Sequence, residues 1–399
     1  MGSISYETHF KSQRADGRFV GSLAAFTERL RNMHPELSLP EKLDEKIFSE
    51  WRDAVKEKYR ELLRLPEIKK QEPPKRLSTT VRDGYRVEKW EFYPDEYTVV
   101  PFLALIPVGA SRKQRVPGVV CLPGSVHSKE FISGEPLLEP YNCRFERFPE
   151  RNRMALYMVK NGMAAFVFDN IATAETGIPT TDETSDVWNY HSRTELVYGY
   201  LQAGLCYPGM STYIILSFLQ YLECFDFLDS ERLGVSAHSL GTEAAMSIGV
   251  LSDKIRAVVF NDYLSDDRVR YSATTESSEG NMGLSIGFWH TVPGMWGYFG
   301  FPDLCAAIAP KHLAFNEGGA DEWFDKVRRA YKSLSAEDRL QIGHYPKYER
   351  EDSRNHHGKV PRYGLSAKEY YEWNYCDPED HSFREEPSVR LLKKAFEIL

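Results

Sequence analysis

Ser239 lies in a run, 237–241 (Ala-His-Ser-Leu-Gly), that follows the apolar stretch 233–236 and leads into Thr242, Glu243, Ala244 and Ala245. An apolar strand, a tight turn and then a helix would lift a serine hydroxyl clear of a sheet edge. Small residues two places before it (Ala237) and two after it (Gly241) would let the backbone fold back on itself. A serine held this way suits nucleophilic catalysis, and the backbone N–H of Leu240 would point at the developing oxyanion. A hydroxyl needs a base to take its proton and a carboxylate to orient that base. For the base, His381 stands shortly before the closing helical segment, within the run 376–383 (Cys-Asp-Pro-Glu-Asp-His-Ser-Phe). His344 falls inside a strand candidate, His356 and His357 lie in a charged stretch, and His238 diverges from its neighbour Ser239. For the acid, the run 314–324 contains two glycines and then Asp321, which is expected to orient His381. Glu317, closer to the strand, is the second choice, and Asp262, after the preceding strand, the third.

A second oxyanion donor is expected from the loop 122–130. Gly124 there permits close backbone approach, and the amide of Ser125 or Val126 is the donor. Between residues 287 and 299 the chain is dense in aromatics, and Trp289, His290, Trp296 and Tyr298 are candidates for a substrate wall. The same residues would serve equally well to cover a sheet edge. Nothing in the pattern calls for a metal or a cofactor, because the adjacent histidines lack a partnering cysteine or acidic cluster.

Positioning these groups requires buried strands alternating with helices. Strands are predicted at 85–93, 98–107, 118–122, 164–168, 232–236, 255–260, 312–315 and 340–345. Helices are predicted at 151–160, 213–228, from 242 onward, and at 388–399. Short apolar runs such as Val119, Val120, Cys121 and Leu122 are of the kind buried on both faces of a parallel sheet. The expected fold is therefore α/β: a mostly parallel central sheet with helices on both faces. A helical extension precedes it, since Phe48, Trp51, Val55, Tyr59, Leu62 and Leu63 recur at helical spacing before Pro66. The Pro73–Pro74 pair divides the extension (1–75) from the catalytic unit (76–399), whose segments 131–149, 171–190 and 265–300 are candidate lids.

With 399 residues and 42% hydrophobic content, the chain has material for a large core. Its 50 basic and 58 acidic residues give a net charge of −8 with no basic block, which argues against nucleic acid or an anionic membrane as partner. The N-terminal residues lack an apolar signal region, and the six cysteines are scattered without a close pair, as suits reduced thiols. A cytoplasmic location is expected, with export after loss of a leader as the alternative. Homo-oligomerisation is left open.

With these residues in view, the chain resembles the acetyl xylan esterase-like and dienelactone hydrolase-like branch of the α/β-hydrolases, over roughly residues 45–395. The likeness rests on the 122–125 loop with Lys129, Glu130 and Gly134, on the Ser239 turn, on the 293–310 segment, and on Asp377 with His381–Phe383. It is similar also in the helical lead-in around Trp51 and Tyr59. Two departures stand out: Ala237 in place of the usual glycine, and a charged insertion at 349–372 before His381. The resemblance implies serine-dependent hydrolysis of carboxylic esters, often of acetylated sugars, without a cofactor. It carries nucleophile, acid and base onto Ser239, Asp321 and His381. Two other readings share the fold: a hydrolase of carbon–carbon bonds, and a non-catalytic binding protein that keeps the serine turn as scaffold.

Overall fold

A computed structural model describes residues 25–26, 29–30, 32–137, 148–177, 188–272, 287–354 and 367–398. Helix α1 (Glu45–Leu62) precedes strands β1 (Lys75–Arg82), β2 (Tyr85–Phe92), β3 (Val100–Pro107) and β4 (Val116–Leu122). Helices α2 (Lys129–Ser133) and α3 (Met154–Lys160) lead to β5 (Ala164–Phe168). Next come α4 (Trp188–Gln202), α5 (Tyr207–Phe218), β6 (Leu228–His238) and α6 (Gly241–Leu251). The remainder runs β7 (Ala257–Asn261), α7 (Asp267–Ser272), α8 (Phe301–Ala306), β8 (His312–Phe315) and α9 (Asp321–Ser333). It ends with β9 (Leu340–Ile342), α10 (Ala367–Trp373) and α11 (Glu385–Phe396).

The strands form one nine-stranded sheet in the order β1-β2-β3-β5-β4-β6-β7-β8-β9. The first three strands and the β3–β5 pair are antiparallel, and all later neighbours are parallel. Register decides where the chemistry can be. Leu122, Ala237, Phe260, Phe315 and Ile342 lie in one row across the sheet. The loops that leave these strand ends therefore open at a single edge, where ligands of open α/β sheets bind.

Strand periodicity sorts the core. Phe102, Ala104, Ile106, Val120, Leu122, Phe166 and Phe168 point to one face, where α1 packs through Phe48, Trp51, Val55 and Tyr59. Alternate residues Leu103, Leu105, Val119, Cys121, Ala165 and Val167 point to the other, covered by α3 and α11. Helix α1 starts where the Asp44 carboxylate accepts the Ile47 N–H at 2.8 Å, a side-chain N-cap.

Several elements differ from the sequence expectation, among them the helices α4 and α9, which were not foreseen. Strand β1 was not expected, because seven of its eight residues are exposed and carry no apolar alternation; it is held only as an edge on β2. The helix expected over 213–228 begins earlier, at Tyr207, where Pro208 is tolerated in the first turn, and it gives way after Phe218 to a 3-10 segment, Leu219–Cys224. Strand β9 stops at Ile342 rather than running to 345. Of the candidate lids, residues 138–147, 178–187 and 273–286 lie outside the described residues, as do His356 and His357. Among the described residues, no helix is long and apolar enough to cross a membrane.

Candidate active site

Ser239 follows the last residue of β6 and has φ 49°, a left-handed conformation that is uncommon for a residue with a side chain. The turn is tied down on both sides. The Ser239 N–H donates to the Asn261 carbonyl at 3.2 Å, and the Thr242 hydroxyl donates to the Ser239 carbonyl at 2.6 Å. Gly241 is obligatory, since a Cβ there would sit 2.5 Å from the Leu122 carbonyl oxygen. Ala237 meets no such demand: it is fully buried within β6, its φ is not positive, and it pairs in register with Leu122 and Phe260. The glycine replaced there is one this backbone does not need.

His381 stands in the loop between α10 and α11, and its Nδ1 lies 2.5 Å from Glu317 Oε2. Glu317 is fully buried two residues beyond β8, and its other oxygen accepts the Ser382 N–H at 3.0 Å and the Asn261 amide at 3.3 Å. The expectation that Asp321 orients His381 is corrected by this geometry. Gly318 and Gly319, both at positive φ, turn the chain so that Leu264 bonds the Gly318 carbonyl. Asp321 is thereby carried onto the first turn of α9, where it pairs with Arg354 at 3.3 Å. Glu317, the second choice from sequence, holds the imidazole. Asp262, the third choice, lies close by: ligand-type atoms of Asp262, Glu317 and His381 all fall within 4.8 Å of one another. Burial raises the Asp262 carboxyl to about 6, partly offset by His381 and reinforced by Glu317.

Two residues that carry no chemistry of their own organise this corner, and sequence reasoning missed both roles. Asn261, fully buried at the end of β7, donates to the Ser382 carbonyl at 2.7 Å and accepts the Arg384 N–H at 2.6 Å, fixing the chain on either side of Phe383. His238 stacks between His127 and His381, with ring centroids 5.6 and 4.5 Å away. Burial, then the neighbouring His381 and His127, holds its pKa well below the usual histidine range. A neutral ring beside His381 adds packing without charge repulsion.

The loop after β4 is held by its carbonyls. Asn170 donates to those of Pro123 and Gly124, each at 2.9 Å, and buried Arg193 donates to that of Ser125 at 2.8 Å. Because a trans peptide points its N–H opposite its C=O, the Ser125 amide is aimed away from Asn170. Gly124 makes the close approach that its type implies: a Cβ would come within 3.0 Å of His238 and 3.1 Å of His127. Beneath the loop, fully buried Lys129 reaches Asp169 at 2.8 Å, Glu130 at 2.9 Å and Glu175 at 2.7 Å.

Ser239, His381, Ser125 and Leu240 line one cavity of about 940 Å³, a volume in the range of small-molecule sites. Trp289, His290 and Trp296 share its wall. His290 Nδ1 lies 2.5 Å from Glu243, and Trp296 donates to Asp267 at 2.5 Å, so both rings are oriented by carboxylates. Tyr298 does not join them: its ring packs beside Phe299, with the Lys58 ammonium 4.7 Å from its centroid. One residue of the aromatic run thus faces the extension, because the 3-10 turn Met295–Gly297 rotates successive side chains apart. Gly124 and Val126 also lie off the cavity wall, leaving Ser125 as the loop residue that reaches it. His344 packs edge-on against Phe324, away from the cavity.

The model of an α/β-hydrolase family, described as Abhydrolase family, matches residues 4–394. A candidate acetyl xylan esterase from Bacteroides fragilis is 32% identical; the alignment covers 98% of this chain and all of that one, with a TM-score of 0.88. Two more distant structures share the fold. A methylesterase is 16% identical over 98% of this chain and 82% of its own, with a TM-score of 0.53. A glucuronoyl esterase from Solibacter usitatus is 11% identical over 91% of this chain and 97% of its own, with a TM-score of 0.52. No curated protein matches the sequence at a significant level.

Proposed function

The chain belongs to the Abhydrolase family of α/β-hydrolases, and from that premise we propose that it is a serine esterase acting on carboxylic esters of carbohydrates. The observation that carries the reading is Ser239 held at a left-handed strand–helix turn in the same cavity as His381, whose Nδ1 is bound by Glu317. The names of the neighbouring esterases support the carbohydrate part.

In this reading His381 Nε2 takes the proton of the Ser239 hydroxyl as Oγ attacks the ester carbonyl. Glu317 keeps Nδ1 protonated and stabilises the imidazolium that forms. The tetrahedral oxyanion is received by the amides of Leu240 and Ser125. Collapse expels the alcohol, which takes its proton from His381. Water, deprotonated by the same nitrogen, then attacks the acyl-enzyme and releases the acid and free Ser239. Asn261 and His238 are positioning residues, and Trp289, Trp296 and His290 present the wall against which a sugar ring would stack.

The test is turnover of 4-nitrophenyl acetate and of acetylated xylose by wild type and Ser239→Ala. The variant is expected to lose at least about 10⁴-fold in kcat, keeping only what binding and oxyanion stabilisation supply. Labelling of Ser239 by a fluorophosphonate should disappear with it. Wild-type turnover in the variant would overturn the assignment.

A further inference from the structure

We propose that Arg270 is a carboxylate anchor in the ester-binding cavity, so that the substrate is an ester carrying a free carboxylate, as an acylated uronic acid does. The inference rests on the esterase reading for its site and goes beyond it in naming the charge of the substrate. Arg270 belongs to α7 and lines the same cavity as Ser239 and His381. Arg270 is half-buried, and its Nε is buried with no hydrogen-bond partner among the described residues. Among the described residues no carboxylate comes within ion-pair distance of it.

The contrast with its neighbour is instructive. Arg268, two residues earlier, is forked onto Asp266 at 2.9 and 2.5 Å, as a satisfied guanidinium should be. The groups that act electrostatically on Arg270 are Tyr263, Tyr370, Tyr371 and Asp262. Those phenols supply polarisable walls but no compensating charge at neutral pH, and Asp262 is itself engaged with the Tyr263 N–H at 2.8 Å. Withdrawing a cation from water without a partner is costly, and every orphaned N–H adds to the cost. A guanidinium at a cavity wall matches a planar carboxylate, which takes two parallel N–H bonds from it. With room for a sugar ring or more, the cavity lets one end of a molecule reach Ser239 while its acidic group meets Arg270.

Calorimetric titration with glucuronate and glucose, alongside kinetics on the monoacetates of their methyl glycosides, tests the anchor. Wild type and Ser239→Ala are both expected to bind glucuronate at least tenfold more tightly than glucose. Arg270→Gln should erase that difference, and Arg270→Lys should restore only part of it. The ratio of kcat/KM for the acidic over the neutral acetate should fall about 10- to 100-fold in Arg270→Gln. Equal wild-type affinity for glucuronate and glucose would overturn the proposal without any variant. Tighter binding of glucose 6-sulfate or glucose 6-phosphate than of glucuronate would overturn its carboxylate identity. The two readings fail separately. If Ser239→Ala kept its turnover while glucuronate binding still depended on Arg270, the esterase reading alone would fall. An inactive Ser239→Ala with binding indifferent to Arg270 would remove only the anchor.

Discussion

Glu317 is the carboxylate that touches the imidazole and therefore the proposed acid of the site, and two substitutions separate it from Asp321. Glu317→Gln removes the charge that holds His381 Nδ1 and is expected to lower kcat about 10²–10⁴-fold, in line with the loss of an orienting carboxylate. Asp321→Asn, which disturbs only the contact with Arg354, should stay within about threefold of wild type on the same substrates. The reverse pattern would return the role to Asp321. Asp262 supplies a prediction with a pH sign. Its folded pKa of about 6 lies above the ordinary 3.8, so folding takes up a proton between those values. The stability associated with that proton is complete below pH 3.8 and is lost as pH rises through 6. Asp262→Asn should therefore raise the stability at pH 8, by on the order of 1–3 kcal/mol, and change little at pH 4. Chemical denaturation at the two pH values reads the difference, and a variant less stable than wild type at pH 8 would refute it.

At the scale of elements, the loop after β4 depends on the ion cluster under it. Lys129 is fully buried against Asp169, Glu130 and Glu175, and burial holds the Asp169 carboxyl at about 6 despite the lysine beside it. Lys129→Met keeps much of the side-chain volume but strands the buried carboxylates of Asp169 and Glu130, while Glu175 keeps its pair with Lys89. It should destabilise the protein by about 3–5 kcal/mol, the range for breaking a buried pair on one side. A melting temperature within a degree of wild type would show that water replaces the ammonium. Helix α2 presents the lysine inward from its first turn, where the Ser128 hydroxyl caps the Phe131 N–H at 3.1 Å.

For the molecule as a whole, the helical lead-in is part of the core. Tyr59 on α1 is almost fully buried and shares a 2.7 Å hydrogen bond with Ser247 on α6, the helix that begins at the nucleophile turn. Leu63 comes so near α5 that a Cβ at Gly209 would overlap its carbonyl oxygen. Tyr59→Ala should cost about 3–5 kcal/mol, as large aromatic truncations in cores do. Because α1 joins the main hydrophobic cluster, its loss should appear as a lower midpoint of the global transition. An earlier, separate melting step that spared activity would mark α1 as an independent appendage.

The alternation of buried strands and helices, the strained serine turn, and a histidine ahead of the final helix were all legible in the chain. They depend on local patterning: β-branched and apolar runs, small residues at fixed offsets, and the order of elements. Strand β8 was legible to the residue, 312–315, and so was β5, since β5 is an uninterrupted apolar run and β8 is one after its first residue, His312. Ser239 and His381 could be singled out because the position of a residue relative to strand and helix ends is a one-dimensional property. The carboxylate that bonds His381 could not, because Glu317 and Asp321 both follow β8 and differ in where two glycines send the backbone. Likewise Trp289, Trp296 and Tyr298 share one aromatic run, yet only the first two reach the cavity. Which way a side chain faces in an irregular segment is decided by long-range contacts, here Leu264 on Gly318 and Lys58 on Tyr298. Arg270 stood out only once its neighbours were in place, because a cation with no carboxylate beside it among the described residues is a fact about surroundings and not about sequence.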